Sequence, residues 1–290
     1  MNHDPYKIIT LIQGSPEWHV WRRTKITASM AGIIMGLSPF ETPLALYNKI
    51  LSGEEIPDNH HMRRGRETEP EARLWATERT GNLYEPVCAE SIETPWMGCS
   101  LDGWCEFAET KAVEIKCPDK SVEQFALLDE IPATHLAQMQ HQMYVMGLDK
   151  MYYITYSKYS QDGVIITVNR DDLFIQKMID ALNAFRLRLI NFDPPEPTDK
   201  DYIQIVDPEA IELAKNYDSI CLTLKNLEYQ KEEARKALIA KTGDKNCNIG
   251  NLRMTKTFSK GRVDYDKIEI LKDMDLSPYR KPPIVSWRIS

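Results

Sequence analysis

The spacing of apolar residues changes character along the 290-residue chain. Up to about residue 80, apolar residues recur at helical intervals and are interrupted by proline and glycine, which favours short helices. Helices are predicted at 29–36, 42–51 and 71–79. Thr42 is a candidate N-cap followed by Pro43, and Pro70 is placed in the first turn of the third helix, where its missing N–H costs least.

The centre of the chain is rich in strand-forming residues. Strands are predicted at 90–94, 96–100, 112–116, 151–156 and 164–168, and helices at 122–129, 133–146 and 171–190. Strands that alternate with helices in this way are typical of sheets with helices packed on their faces. The predicted fold class is therefore α/β (mixed α+β), with a central mixed sheet flanked by helices.

A polar window at 191–200 contains three prolines and predicts a domain boundary. We expect one domain at 1–195 and a C-terminal appendage at 196–290. The appendage consists of a charged helix at 208–241 and a small β-containing tail, with strands near 252–258 and 284–289. The charged helix has an apolar seam along one face, formed by Leu213, Tyr217, Ile220, Leu224 and Leu227. That seam either pairs with another helix or packs back onto its own domain.

Composition narrows the function without defining it. A net charge of −7 and a pI near 5.5 argue against a protein that merely coats nucleic acid, but they permit a nuclease with a local basic groove. No apolar run is long enough for a membrane helix, and the polar N-terminus carries no secretion signal. The six cysteines form no C-x₂-C pair, which favours reduced thiols and a cytoplasmic location.

The most informative chemistry lies at Asp102 and at Glu114-Ile115-Lys116. Residues two apart on a strand share a face, so Glu114 and Lys116 project together while Ile115 faces the core. A hairpin would bring the Asp102 carboxylate beside Glu114. Two carboxylates with water and phosphate oxygens suit Mg²⁺, which activates water for phosphodiester hydrolysis, and Lys116 would assist that water. The alternative is a strand at a solvated sheet edge.

Four ordered blocks between residues 13 and 156 resemble the lambda exonuclease and YqaJ-type viral recombinase family. They are GSPEW, WR and ITAS within 14–29, RGRETE at 64–69, SLDG and EIKCP at 100–103 and 114–118, and AQMQ at 137–140. That family belongs to the restriction-endonuclease-like PD-(D/E)XK superfamily, so the resemblance implies a restriction-endonuclease-like core. Leu101 stands where the signature has proline, and the appendage has no counterpart in the short lambda-type enzyme.

The resemblance implies roles for individual residues. Asp102 and Glu114 would ligate the metal together with the backbone carbonyl of Ile115, and Lys116 would assist the attacking water. Glu69 would contact the metal directly or through water.

Two of these positions have other interpretations. Glu69 could instead be a carboxylate that the dipole favours at a helix N-terminus. Gln138 would orient the nucleophile or bind phosphate; alternatively, it is a polar residue on an exposed helix face.

Arg22 and Ser29 correspond to family positions that hold a 5′-terminal phosphate. A guanidinium binds phosphate in a bidentate fork and a hydroxyl adds one donor. The alternatives are a surface charge for Arg22 and a helix cap for Ser29.

The activity implied is that of a Mg²⁺-dependent exonuclease, with Mn²⁺ able to substitute. It would degrade linear double-stranded DNA from 5′, preferably 5′-phosphorylated, ends and leave 3′ single strands for recombination. The family further implies a single-strand annealing protein as partner and a homo-oligomer, a ring-shaped trimer, in a bacterial cell with a phage or prophage origin. Alternatives are a sequence- or structure-specific endonuclease and a catalytically silent DNA-binding or assembly module.

Overall fold

The computed structural model describes residues 4–53, 60–118, 131–243 and 245–257, together with 259, 261, 264, 267–269 and 274. The chain divides into two compact units, Met1–Tyr202 and Ile203–Ser290. The helix predicted at 122–129 and the strand predicted at 284–289 lie outside the described residues. The division into an exonuclease domain and an appendage stays a prediction.

The first unit contains seven strands and six α-helices in its described ranges. The strands are β1 (Tyr6–Ile9), β2 (Ile26–Thr27), β3 (Glu85–Ser91), β4 (Met97–Trp104), β5 (Ala112–Lys116), β6 (Lys150–Ser157) and β7 (Asp162–Asn169). The helices are α1 (Pro16–Arg23), α2 (Ala28–Ile34), α3 (Pro43–Ser52), α4 (His60–Thr80), α5 (Ala133–Met146) and α6 (Asp172–Asn191), followed by a 3₁₀ turn at Asp199–Asp201.

All seven strands form one mixed sheet. Its order is β1-β3-β4-β5-β6-β7, and β2 pairs with β4 beside this path. The β5–β6 and β2–β4 pairs are parallel and the others are antiparallel. A parallel pair needs a long crossover connection, and α5 lies in the connection from β5 to β6. The predicted α/β class, with a central mixed sheet flanked by helices, is confirmed.

Two apolar clusters enclose the centre of the sheet. The larger one includes Met139 and Met143 of α5, and the smaller one includes Ala72 and Ala76 of α4. Neighbouring residues of β5 belong to different clusters, Ala112 to the larger and Val113 to the smaller. Strand β5 is therefore buried on both faces, as expected for a strand covered by helices on each side.

The predicted start of the third helix was wrong. Helix α4 begins at His60 rather than at residue 71, and Pro70 lies inside it. Proline removes one helical hydrogen bond and crowds the preceding turn, so sequence rules place it at a helix start. Packing of Ala72 and Ala76, both fully buried, helps to stabilise the helix despite that cost. Glu69 therefore lies in the interior of α4.

The second unit contains α7 (Pro208–Thr242) and a hairpin of β8 (Cys247–Ile249) with β9 (Leu252–Met254). The Asp207 carboxylate caps α7 by accepting from the Ala210 N–H at 2.9 Å, and Gly243 ends the helix in a left-handed conformation. The apolar seam of α7 is solvent-exposed within the described chain, with Leu213 63% exposed. Among the helices in the described ranges, none carries an apolar stretch that would span a bilayer.

Gly103, at the β4–β5 pairing, has no room for a side chain. A Cβ there would lie 2.6 Å from Val113 Cγ2 and 2.8 Å from Tyr84 Cβ, both in buried residues. We expect Gly103→Ala to lower the free energy of unfolding by about 1–3 kcal/mol, measured by urea denaturation. Gly65→Ala in α4 is the control, because a Cβ at that position would meet no atom within 4 Å. That change should raise stability by about 0.5–1 kcal/mol; equal effects would contradict the packing account.

Candidate active site

The pairing of β4 with β5 brings Asp102 against the Glu-Ile-Lys segment. Gly103 pairs with Val113 and Trp104 with Ala112 in antiparallel register. Asp102 precedes Gly103 on β4, and its carboxylate Oδ2 accepts a hydrogen bond from the Ile115 N–H at 2.7 Å. The hairpin expected from sequence therefore places the first carboxylate directly beside β5.

Glu114 is the most enclosed of the candidate residues, with only 1% of its surface exposed. Its Oε1 accepts from Lys116 Nζ at 2.5 Å and from Gln138 Nε2 at 2.6 Å. Its Oε2 accepts from Gln142 Nε2 at 2.7 Å. A buried carboxylate is tolerated when donors satisfy its oxygens, and three donors do so here.

Helix α4 brings a second acidic group to the same region. Arg73 donates to the Glu69 carboxylate one turn away and also, through Nε, to the backbone carbonyl of Asp102 at 2.6 Å. Glu69 is therefore held beside β4 by a shared arginine. Because Glu69 lies in the interior of α4, the interpretation as a helix N-terminal carboxylate is wrong.

These charges perturb one another. Burial raises the pKa of Asp102 well above its ordinary value, and the negative charge of Glu114 raises it further. Burial also raises the pKa of Glu69, although Arg73 opposes the shift. Burial alone would lower the pKa of Lys116, but Glu114 and Asp102 outweigh it and the pKa is raised. The site thus carries carboxylates that repel one another and a lysine that stays protonated.

The donor set fits a hard divalent cation. Carboxylate oxygens are the ligands that such cations prefer, and a cation would relieve the repulsion between Asp102 and Glu114. Within the described ranges, no group of three or more His, Cys, Asp and Glu side chains is arranged to hold a metal ion. Backbone or water oxygens would therefore have to complete the shell, and the role of the Ile115 carbonyl stays a prediction.

Arg22 and Ser29 form a separate polar cluster near the N-terminus. Arg22 Nη2 donates to Ser29 Oγ at 3.0 Å and approaches Thr27 Oγ1 at 3.4 Å. The guanidinium also stacks over the Trp18 ring, with Cζ 4.4 Å from the ring centroid. Ser29 is exposed and lies in α2, so the partly buried guanidinium of Arg22 adjoins an exposed hydroxyl.

Hydrogen bonds link this cluster to Glu114. Trp18 Nε1 donates to Ser100 Oγ on β4 at 3.0 Å. The Gln142 amide donates to the Ser100 carbonyl at 3.2 Å as well as to Glu114. The N-terminal cluster and the carboxylate site are therefore connected through β4 and α5.

Sequence reasoning missed Gln142 and Arg73. Gln142 is fully buried against Glu114, whereas Gln140, the second glutamine of the AQMQ block, instead bonds the Asn169 carbonyl at 2.8 Å. A signal existed for Gln142: residues four apart share a helix face, so Gln138 and Gln142 lie together while Gln140 points away. The same spacing relates Arg73 to Glu69.

The crowded carboxylates generate a stability prediction. Asp102→Asn keeps an oxygen for the Ile115 N–H and removes a charge that is unfavourable in the fold. In EDTA near pH 8 we expect the variant to be more stable than the parent by about 0.5–2 kcal/mol. The sign follows from linkage: an acid whose folded pKa is raised loses stability as pH rises above its unfolded pKa. The difference should therefore shrink toward pH 4.

Thermal unfolding in EDTA and in Mg²⁺ or Mn²⁺ tests this account. The cation should stabilise the parent and have little effect on the variant. A parent that is more stable than Asp102→Asn in EDTA, or equal stabilisation of both proteins by the cation, would contradict it.

Known proteins resemble the chain in sequence and in fold. Residues 17–149 match the sequence profile of the YqaJ-like viral recombinase domain. Two crystal structures of the alkaline exonuclease LHK-Exo from Laribacter hongkongensis, one in complex with dAMP, are similar to the chain. Each has a TM-score of 0.55 and 24% identity and covers 62% of this chain and 94% of its own.

A phage-related exonuclease from Haemophilus somnus 129PT shares 13% identity, with 58% of this chain and 94% of its own covered, at a TM-score of 0.46. That score supports no inference. No curated protein sequence matches the chain. The likeness to LHK-Exo establishes a shared fold, and the predicted family resemblance is confirmed. The chain is therefore similar to the YqaJ-like viral recombinase domain over residues 17–149.

Proposed function

We propose that the protein is a metal-dependent exonuclease that degrades linear double-stranded DNA. The observation that carries the proposal is the convergence of Asp102, Glu114 and Lys116 on the paired strands β4 and β5. The YqaJ-like viral recombinase domain and the fold shared with an alkaline exonuclease support DNA as the substrate. Mg²⁺ is the proposed cation, with Mn²⁺ as a substitute.

Each side chain has a defined part in this proposal. Asp102 and Glu114 hold the cation, which when bound polarises the scissile phosphate and lowers the pKa of water. Lys116 is held protonated by the two carboxylates, so it donates hydrogen bonds and offsets negative charge at the phosphate rather than accepting a proton. Glu69, restrained by Arg73, supplies an additional acidic group that contacts the cation directly or through water.

Two glutamines of α5 support this arrangement from one helix face. Gln138 contacts both Glu114 and Lys116, so its amide can orient the attacking water or the phosphate. Gln142 acts as a positioning residue, because it fixes the second carboxylate oxygen of Glu114 from a fully buried location.

The proposed polarity is 5′ to 3′, leaving a 3′ single strand for annealing. Arg22 and Ser29 are the proposed 5′-phosphate ligands, since they present a guanidinium and a hydroxyl 3.0 Å apart. From the family we further propose a single-strand annealing partner and a homo-oligomer, a trimer, acting in the bacterial cytoplasm.

The first experiment follows linear duplex DNA labelled at either end, in Mg²⁺, Mn²⁺ and EDTA. We expect metal-dependent loss of the labelled strand from its 5′ end and no cleavage of closed circular DNA. Lys116→Ala should lower the rate by about 10²-fold or more, because it removes a charge-assisted donor at the phosphate. Lys177→Ala, on an exposed position of α6, is the matched control and should match the parent.

Other outcomes would redirect the assignment. Cleavage of the circle would favour a sequence- or structure-specific endonuclease. Folded protein that binds DNA without cleaving it in either cation would favour a catalytically silent module.

End recognition yields a separate prediction. Arg22→Ala should reduce the initial rate on 5′-phosphorylated duplex by about 10- to 100-fold, as expected for loss of a charge-assisted phosphate contact. The rate on the matching 5′-hydroxyl duplex should change little, so the 5′-phosphate preference should disappear. Arg23→Ala, the exposed neighbouring residue, is the control. An equal loss on both substrates for Arg22→Ala would argue for a structural role instead.

A further inference from the structure

A cavity of about 140 Å³ opens beside the carboxyl ends of β5 and β6. Its walls come from α4, from the residues that follow β5, and from the end of β6 with its following turn. They are Arg64, Thr68, Cys117, Pro118, Tyr156, Lys158 and Tyr159. Because β5 and β6 are parallel, their carboxyl ends reach the same edge of the sheet, where α/β proteins commonly bind ligands.

Two walls of the cavity include residues next in sequence to residues of the candidate active site. Thr68 precedes Glu69 on α4, and Cys117 follows Lys116 at the end of β5. Arg64 joins these two walls, since its Nη2 donates to the Cys117 carbonyl at 3.3 Å. Arg73 on the same helix bonds both Glu69 and the backbone carbonyl of Asp102, which places the α4 wall of the cavity beside the candidate site. A polymer whose phosphodiester lay at that site would therefore have its adjoining unit close to this cavity.

The lining combines positive charge with aromatic surface. Arg64 and Lys158 supply the cations, and Tyr159 is 77% exposed. Tyr156 is 2% exposed and its hydroxyl donates to the Glu71 carboxylate at 2.7 Å, so it forms part of the cavity wall and Tyr159 supplies the accessible ring. Cationic side chains bind phosphate oxygens, and aromatic rings stack on bases of any sequence.

Thr68 adds an independent observation. It is 2% exposed, yet its Oγ1 has no hydrogen-bond partner among the described residues. Buried hydroxyls are normally satisfied, so an unsatisfied one lining a cavity indicates a position for a polar ligand atom.

We propose that this cavity, together with the exposed ring of Tyr159, binds one nucleotide of the DNA strand, adjacent to the phosphodiester that the active site cleaves, with part of the nucleotide inside the cavity and part outside it. Arg64 and Lys158 contact its phosphate, Tyr159 packs against its base, and Thr68 hydrogen-bonds a polar atom of the nucleotide. The location relative to the cleaved bond rests on the proposed function. The cavity carries two basic side chains, although the chain as a whole has a net charge of −7.

DNA binding by the full-length protein tests the proposal without cleavage. A labelled duplex with a single-stranded extension is titrated in EDTA at several salt concentrations. Lys158→Ala should weaken binding by roughly 10-fold and reduce the slope of log K against log salt by about one, as expected for one lost phosphate contact. Tyr159→Ala should also weaken binding by roughly 10-fold, with little change in slope.

Matched variants separate these contacts from general effects. Tyr159→Phe keeps the ring and should bind like the parent, and Lys177→Ala removes an exposed lysine on α6. Lys158 and Tyr159 are both exposed, so their variants should fold, which thermal unfolding checks. Inorganic phosphate and dAMP serve as competitors; displacement of the DNA extension by dAMP but not by phosphate would support a site for a whole nucleotide.

Photo-crosslinking locates the nucleotide. With 5-iodouracil at successive positions of the strand, we expect a crosslink to Tyr159 from one or two adjacent positions, lost in Tyr159→Ala. Unchanged affinity and salt slope in Lys158→Ala and Tyr159→Ala, with no crosslink at Tyr159, would overturn the proposal.

Failure of this proposal is distinguishable from failure of the proposed function. If the parent protein cleaves DNA and both cavity variants have the KM of the parent, the proposed nucleotide site is wrong and the proposed nuclease activity stands. If the parent protein binds DNA through the cavity but does not cleave it in Mg²⁺ or Mn²⁺, the proposed DNA binding at the cavity stands and the proposed nuclease activity is wrong.

Discussion

The candidate site depends on one buried carboxylate, that of Glu114, being satisfied by three side-chain donors. An ionised carboxylate without partners would be strongly unfavourable in a protein interior. Lys116 supplies one donor from the same strand, while Gln138 and Gln142 supply two from α5. Helix α5 must therefore pack against β5 with one particular face, and that requirement couples the geometry of the site to the packing of the core.

The packing of α5 is also linked to the parallel pairing of β5 with β6. Helix α5 lies in the crossover between these strands, so the helix that satisfies Glu114 also belongs to the connection that makes the pair parallel. Their carboxyl ends then share one edge of the sheet, and α4 crosses beside it with Glu69 and Arg64. The acidic site and the basic, aromatic cavity are neighbours because of this topology.

The acidic residues indicate a conflict between stability and function. Asp102 and Glu69 both have raised pKa values because burial and neighbouring carboxylates disfavour their charged forms. Arg73 and the Ile115 N–H compensate in part. Unfavourable charge that persists in a well-packed core is typical of sites where function, rather than folding, determines the residue.

The amino-acid sequence by itself determined the features that depend on local chain geometry. The two-residue period of a strand placed Glu114 and Lys116 on one face, and the helix predicted at 133–146 has the bounds of α5. The roles assigned to these residues remain predictions. Only the tertiary structure placed Gln142 against Glu114, continued α4 through Pro70 and assembled the cavity. Those features depend on contacts between segments distant in sequence, which follow from strand order and helix packing rather than from any local pattern.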